Sequence, residues 1–232
     1  MKALLLAAGL GVRLRPLTND IPKCLVPIHG KPLLEYWFHL LSVAGVGPLL
    51  VNLHYFHEKV EAFVKTSSFR SKVVTVYEKE LLGTAGTVLK NRDFFGNEEF
   101  MLIHADNLSK FDVKAFIRCH HERPQGCEIT MMTYETPAPE TCGIVELDNR
   151  GVVVAFHEKS SEPYGNLANG AVYIMEPSVV DFLNSMGQDV IDLSTQVIPR
   201  YMGRIFTFYN DIYHRDIGTI ESYRQAEKEF KG

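Results

Sequence analysis

The chain opens on Met1 to Ala7, a short run that is continuously apolar apart from Lys2 rather than alternating with polar residues. A half-exposed strand alternates; an unbroken run suits a central strand covered on both faces. This stretch points to a layered α/β arrangement. The residues that follow, Ala8-Gly9-Leu10-Gly11-Val12-Arg13-Leu14-Arg15-Pro16-Leu17-Thr18, put a glycine-punctuated loop at the C-terminal end of that strand. In open α/β sheets ligands bind at that edge. Glycines let backbone N–H groups approach an anion without an intervening Cβ, and cationic side chains complete the grip. Gly-x-Gly alone is weak, because tight turns use glycine for geometric reasons. Arg13, Arg15 and the Pro22-Lys23 pair turn the loop into a phosphate-holding candidate.

The rest of the first half supports the layered reading. Pro32 to Leu41 reads as a helix stopped near Gly45, Leu49 to Leu53 as a buried strand, His57 to Lys65 as a helix and Val73 to Tyr77 as a strand. Glu78 to Gly86 then reads as a loop leading into a short helix that ends near Leu89, Phe100 to Asp106 as a fourth strand and Val113 to His121 as its helix. Strand–helix alternation at this spacing implies right-handed βαβ units and a mainly parallel sheet. After the turn at Pro124 to Gly126 the pattern changes. Glu128 to Tyr134, Gly143 to Leu147, Val152 to Phe156 and Ala168 to Met175 read as β segments, with Asp148-Asn149-Arg150-Gly151 as a hairpin turn. Helices are expected over Pro177 to Asn184, Leu193 to Tyr201 and Ile220 to Phe230, with extended chain at Gly203 to Tyr209 and Tyr213 to Asp216. The expected fold is therefore Rossmann-like, three layers α/β/α, with a mixed, mainly parallel central sheet and antiparallel additions in the later half. No Pro/Ser-rich linker interrupts residues 1–232, so one domain is expected.

The net charge of −4 and a pI near 6.1 leave no basic footprint for a nucleic acid. No apolar run approaches the length of a membrane span, and no signal-peptide pattern opens the chain, so a cytoplasmic protein with reduced thiols is expected. Cys24, Cys119, Cys127 and Cys142 show no CxxC spacing. Cys119-His120-His121 through Cys127 reads as a solvated helix end and a turn in preference to a metal site. The lone Trp37 reads as core. Asp106 and Asp216 each end a β-like segment, and both a capping role and a shared Mg²⁺ site are open to them on spacing alone.

At this point the segments resemble the sugar-1-phosphate nucleotidylyltransferases, or NDP-sugar pyrophosphorylases, over nearly the whole chain. The resemblance is carried by Gly9 to Thr18 with Pro22-Lys23, then Leu82-Gly83-Thr84-Ala85-Gly86, Asp106, Glu158-Lys159, Asn169-Gly170-Ala171-Val172-Tyr173 and Asp216-Ile217-Gly218-Thr219. It implies transfer of a nucleotidyl group from a nucleoside triphosphate to a sugar 1-phosphate with Mg²⁺, catalysed by Arg13 and Lys23. It implies nucleotide contacts at Ala7, Ala8, Gly9, Gly11, Gly83, Thr84 and Gly86, sugar-phosphate contacts at Gly143, Glu158, Lys159 and Asn169, and metal ligands at Asp106 and Asp216. Roughly residues 1–122 would form the nucleotide half and 123–232 the sugar half. The loop 82–86 is most similar to that of mannose- and heptose-1-phosphate guanylyltransferases, whose small residues would leave room for a purine; GTP is therefore expected. A uridylyl- or cytidylyltransferase on another sugar or non-sugar phosphate is the alternative, and a catalytically silent nucleotide-sensing subunit is the alternative of another class. Val12 stands where the family usually has Thr and Cys24 where it commonly has Pro. With few residues after Asp216, no left-handed β-helix and no acyltransferase activity are expected. Homodimers are common among such enzymes, but the sequence does not fix the oligomeric state.

Overall fold

The computed structural model describes residues 1–160 and 164–231. The opening run forms the strand Lys2–Leu6, with Ala3, Leu4 and Leu5 fully buried. The chain divides into two compact units, each assembled from separated segments. The first comprises Met1–Leu81, Ile103–Phe111 and Ile212–Gly232, and the second Leu82–Leu102 and Asp112–Asp211.

In the first unit Lys2–Leu6 pairs in parallel with Leu49–Leu53, and that strand pairs in parallel with Val73–Tyr77. Every residue of Leu49–Leu53 is buried, as a strand flanked by two neighbours requires, and its one polar side chain, Asn52, is buried with the rest. The connecting helices are Leu33–Ala44 and His57–Thr66. Leu33, Leu34, Trp37, Phe38 and Leu41 fall at helical spacing and turn inward together. Gly45 ends the first helix at φ 79, a left-handed conformation that glycine adopts without a Cβ penalty. Tyr213–Asp216 lies antiparallel to Asn107–Lys110, with Asp216 opposite Asn107. A cluster of Leu14, Val26, Ile28, Leu33, Leu108, Ile217, Ala226 and Phe230 is the core beneath the glycine loop.

In the second unit the pairing is largely antiparallel. Ile129–Glu135 runs antiparallel to Leu167–Met175 and parallel to Ile205–Tyr209. Gly143–Leu147 and Val153–Glu158 form a hairpin that puts Gly143 opposite Glu158. The helices are Gly83–Lys90, Arg92–Phe95, Val113–His121 and Pro177–Ser185. The architecture is of the expected class: helices flank a mixed sheet, with parallel pairing early and antiparallel strands later.

Three local expectations change. The fourth strand ends at His104, and Asn107–Lys110 is a separate strand, so Asp106 sits in the turn between them. Gly83 opens a helix, so the segment 82–86 is mostly helical first turn. Leu193–Tyr201 is a π turn over Leu193–Val197 followed by a 3₁₀ turn over Ile198–Tyr201; Pro199 has no N–H to continue a regular α ladder. The sequence reading also missed a small hairpin, Pro27–Ile28 with Lys31–Pro32, whose turn residues His29 and Gly30 both take positive φ.

The hairpin turn at 148–151 generates a pH prediction. Asp148 Oδ1 accepts from the amides of Val152 at 3.0 Å and Arg150 at 2.9 Å, and the Arg150 guanidinium donates to Oδ2. The Val152 amide first, and then Arg150, hold its carboxyl below the usual value of 3.8. A carboxylate with a lowered folded pKa adds stability above its unfolded pKa and loses it as pH falls through the folded value. Asp148→Asn is therefore expected to melt below wild type at neutral pH, the gap closing as pH drops below about 4. Melting curves across that range check this, and a gap independent of pH contradicts it.

Candidate functional site

The glycine loop is fixed by its own backbone and by one threonine. Three 3₁₀ turns, Val12–Leu14, Leu17–Asn19 and Lys23–Leu25, fold it tightly. Gly11 takes φ +62, and a Cβ there would come within 2.9 Å of the Thr18 side chain. Thr18 Oγ1 in turn donates to the Gly11 carbonyl at 2.6 Å. Leu14 is fully buried in the core cluster, while Arg13 beside it leaves 70% of its side chain exposed. Gly9 is different: a Cβ there meets nothing within 4 Å.

Lys23 points back under this loop, and its side chain is only 8% exposed. Its ammonium donates to Asp106 Oδ2 at 2.7 Å and to Asp216 Oδ1 at 3.1 Å. Arg13 Nη2 lies 3.9 Å from Asp216 Oδ2. Arg13, Lys23, Asp106 and Asp216 are thus brought together in one unit. Burial alone would lower the Lys23 pKa, but the charges of Asp106 and then Asp216 outweigh it and raise the pKa above 10.5. Burial of Asp106 works against its ionisation, yet Lys23, and after it His104, hold its carboxyl below 3.8. Lysine ammonium and carboxylate therefore each favour the charged state of the other. By donor type the pair of aspartates also suits a hard divalent cation: two carboxylates face one point, and each carries a second oxygen.

Several residues of this unit support the cluster, and the sequence reading missed them. Trp37 Nε1 donates to the Asn107 carbonyl at 2.9 Å, pinning the residue next to Asp106. His214 and Ser109 hydrogen-bond across the two short strands that carry Asp216 and Asn107. A Cβ on Gly218 would fall 2.6 Å from Asp216 Oδ2 and 3.2 Å from Arg13 Nη2, so glycine is required there by close approach. The motif containing Gly218 was visible, but its reason was not. Ala7 has its amide committed to Asn52 Oδ1 at 2.8 Å. Cys24 is buried, and burial followed by Asp106 pushes its thiol up to about 12, which leaves it inert. Val12, in the other unusual position, is 53% exposed and takes no part in the core.

The second unit holds the remaining predicted residues. Gly143 sits where a Cβ would collide with the Phe156 ring and lie 2.9 Å from Glu158 Oε2. Lys159 Nζ pairs with Glu158 Oε1 at 3.2 Å, and Lys159 takes φ 49 although it is not glycine. Asn169 accepts from the Ala171 amide at 2.9 Å and donates to Tyr173 Oη at 2.7 Å, across an irregularity in strand Leu167–Met175. The helix opened by Gly83 is seated on the chain at 189–193. The Ala85 and Gly86 amides donate to the Ile191 carbonyl at 2.9 and 3.1 Å, and Thr84 Oγ1 accepts from the Leu193 amide at 2.7 Å. A Cβ on Gly83 would meet the Ile191 carbonyl at 2.5 Å, and one on Gly86 would collide with the Asp189 carbonyl. These glycines make room for backbone. The small size of Gly86 thus accommodates the Asp189 carbonyl and does not open room for a purine.

Comparison with known proteins gives the family. Residues 2–231 match the family model described as nucleotidyl transferase. The chain belongs to the nucleotidyl transferase family. It is 30% identical over 243 residues to a UTP–glucose-1-phosphate uridylyltransferase of Synechocystis sp., covering 97% of this chain and 62% of that protein. It is 29% identical over 237 residues to the D-glycero-α-D-manno-heptose 1-phosphate guanylyltransferase of Aneurinibacillus thermoaerophilus, covering 100% of this chain and 99% of the relative. The crystal structure of HddC from Yersinia pseudotuberculosis with GMP-PN superposes with a TM-score of 0.83 at 26% identity, covering 99% of each chain. No helix among the described residues is long and apolar enough to cross a membrane.

For this nucleotidyl transferase the Lys23 bridge predicts its own energetic signature. Lys23→Met removes the ammonium and leaves Asp106 and Asp216 facing each other without a counter-charge. Leaving a hydrogen-bonded charge unpaired costs about 1–3 kcal/mol where solvent reaches part of it. Urea denaturation is expected to show a loss of that order with the m-value kept. A stabilised variant would mean that burying the ammonium costs more than the two carboxylates return.

Proposed function

We propose that the protein is a sugar-1-phosphate nucleotidylyltransferase that joins GTP to a manno-configured hexose or heptose 1-phosphate, giving the NDP-sugar and pyrophosphate. The observation that carries this reading is the Lys23 ammonium held between Asp106 and Asp216 beneath a glycine loop that exposes Arg13. Attack of a sugar-phosphate oxygen on the α-phosphorus brings two anions together. Catalysis of that step rests on in-line positioning and charge neutralisation, with little covalent work for the protein.

Arg13 is assigned to the β- and γ-phosphates that leave as pyrophosphate, and its exposure leaves it able to reach them. Lys23 is assigned to the α-phosphate, where negative charge builds in the transition state. Ala8, Gly9 and Gly11 offer backbone to the nucleotide, and the open space beside Gly9 supports its role as the point of closest approach. Asp106 and Asp216 are the residues that would hold Mg²⁺, which when bound neutralises phosphate charge. In the second unit Gly143, Glu158, Lys159 and Asn169 are assigned to the sugar phosphate, with Gly83, Thr84 and Gly86 on the base side. The choice of GTP rests on the heptose guanylyltransferase that the chain matches end to end and on the GMP-PN bound by the Yersinia protein.

The deciding measurement is pyrophosphate release with the four ribonucleotides and dTTP against a panel of sugar 1-phosphates. Turnover is expected with GTP and a manno-configured acceptor; turnover confined to UTP would move the assignment toward the uridylyltransferase relative. Absence of any turnover, with a nucleotide still raising the melting temperature, would favour a sensing subunit.

Lys159 supplies an independent check. A non-glycine residue at positive φ costs roughly 1–2 kcal/mol, and such strain persists where function requires the side chain. Lys159→Gly is expected to melt higher than wild type while raising the KM for the sugar 1-phosphate at least about tenfold, as loss of one charge-assisted contact implies. An unchanged KM removes Lys159 from the sugar-phosphate site.

A further inference from the structure

The helix end at Cys119 to His121 is not the solvated terminus that its sequence suggests. His120 is fully buried, and His121 beside it is half exposed. The His120 Nε2 lies 3.5 Å from Glu99 Oε2 and 3.4 Å from Glu176 Oε1, and it has no hydrogen-bond partner. Both separations are long for a hydrogen bond. They match the edge of a tetrahedron around an ion with ligand bonds near 2.0–2.1 Å, which is about 3.4 Å. The three ligand atoms all lie within 4.8 Å of one another, and among the described residues this is the group of His, Cys, Asp and Glu with that convergence.

We propose that Glu99, His120 and Glu176 form a binding site for a divalent ion of the zinc class, distinct from Asp106 and Asp216, that clips together three elements of the second unit. Glu99 immediately precedes the strand Phe100–His104, His120 is in the last turn of Val113–His121, and Glu176 is the N-cap of Pro177–Ser185. One ion would fasten all three.

The donor set and its surroundings fit this chemistry. Imidazole with two carboxylates suits zinc and its borderline neighbours, whereas magnesium and calcium favour oxygen alone. The other ring nitrogen, Nδ1, is 2.7 Å from Thr130 Oγ1, the kind of outer contact that fixes the tautomer and orientation of a ligating histidine. Arg123 donates to Glu176 Oε1 and also to the His120 and Cys127 carbonyls, and His121 Nε2 lies 2.8 Å from Glu99 Oε1. Both carboxylates are thus held in place by outer partners. Arg123 balances one of their two negative charges, and a divalent ion more than balances the other. A solvent molecule would complete a four-coordinate shell.

The test uses the full chain without an affinity tag, stripped of metal and titrated with Zn²⁺ by calorimetry and with Co²⁺ by visible absorption. The proposal expects one equivalent of zinc at micromolar affinity or tighter, a raised melting temperature, and the intense d–d band of low-coordinate cobalt. Glu99→Gln, a partly exposed position that leaves the fold intact, and His120→Gln are each expected to weaken binding at least about a hundredfold, since even outer partners contribute ten- to a hundredfold. Asp106→Asn is expected to retain that equivalent. Millimolar or absent binding in wild type, undiminished binding in Glu99→Gln, or loss of the equivalent in Asp106→Asn would each overturn the site. Circular dichroism of Glu99→Gln separates loss of the ligand from loss of the fold.

Discussion

The first unit depends on one contact, a lysine ammonium shared by two carboxylates from distant parts of the chain. Lys23 is too deeply placed to be charged unaided, since burial of an isolated ammonium is costly. Asp106 and Asp216 make the charge tolerable, and Lys23 in turn keeps two neighbouring carboxylates from repelling each other. Each group needs the others, so the chain must deliver all three to one point. It does so by seating every charged residue beside an apolar anchor. Arg13 adjoins Leu14, Lys23 adjoins Cys24, Asp106 adjoins Ala105 and Asp216 adjoins Ile217, and all four anchors are essentially fully buried. The core thus sets the register of the charges. The antiparallel pairing of Tyr213–Asp216 on Asn107–Lys110, together with the Trp37 bond to Asn107, fixes the distance between the two aspartates.

How much of this was legible in the sequence follows from the range of the interactions involved. The strands Leu49–Leu53, Val73–Tyr77 and Gly143–Leu147 and the helix Val113–His121 were readable to their ends, because periodicity and flanking turn residues are local signals. The break after His104 was not, since it is imposed by the pairing of Asn107–Lys110 with a strand more than a hundred residues away. Arg13, Lys23, Asp106 and Asp216 could be named from motifs. Their mutual contacts could not, and neither could the roles of Trp37, Ser109 and His214, whose partners are fixed only by tertiary structure. The burial of His120 was hidden for the same reason: Glu99 and Glu176 lie 21 and 56 positions from it in the chain, with no motif to join them.

Glycine shows most clearly where residue type stops being informative. Gly11 and Gly45 are glycine because their backbones turn left-handed. Gly86, Gly143 and Gly218 have no such conformation; each is glycine because another group occupies the space of a Cβ. Gly9 has neither constraint, as its φ is ordinary and its Cβ position is open. The sequence displays all of these alike. For Gly86 that ambiguity mattered, because a small residue in a family motif invites the inference of room for a base, whereas the room is filled by the carbonyl of Asp189.

The same distinction gives Gly9 its weight. A glycine demanded by conformation or packing would be needed whatever the protein did, and so says little about a ligand. With both demands absent, Gly9 leaves its backbone open to close approach by a group outside the chain, as the role proposed for it requires. Gly9 follows the buried strand Lys2–Leu6 and precedes the turn that carries Arg13, in the segment whose folded end Lys23 closes. An anion reaching that backbone would compete with Asp106 and Asp216 for the Lys23 ammonium. The two carboxylates hold the lysine charged and oriented, the preorganisation that the electrostatic role proposed for Lys23 requires.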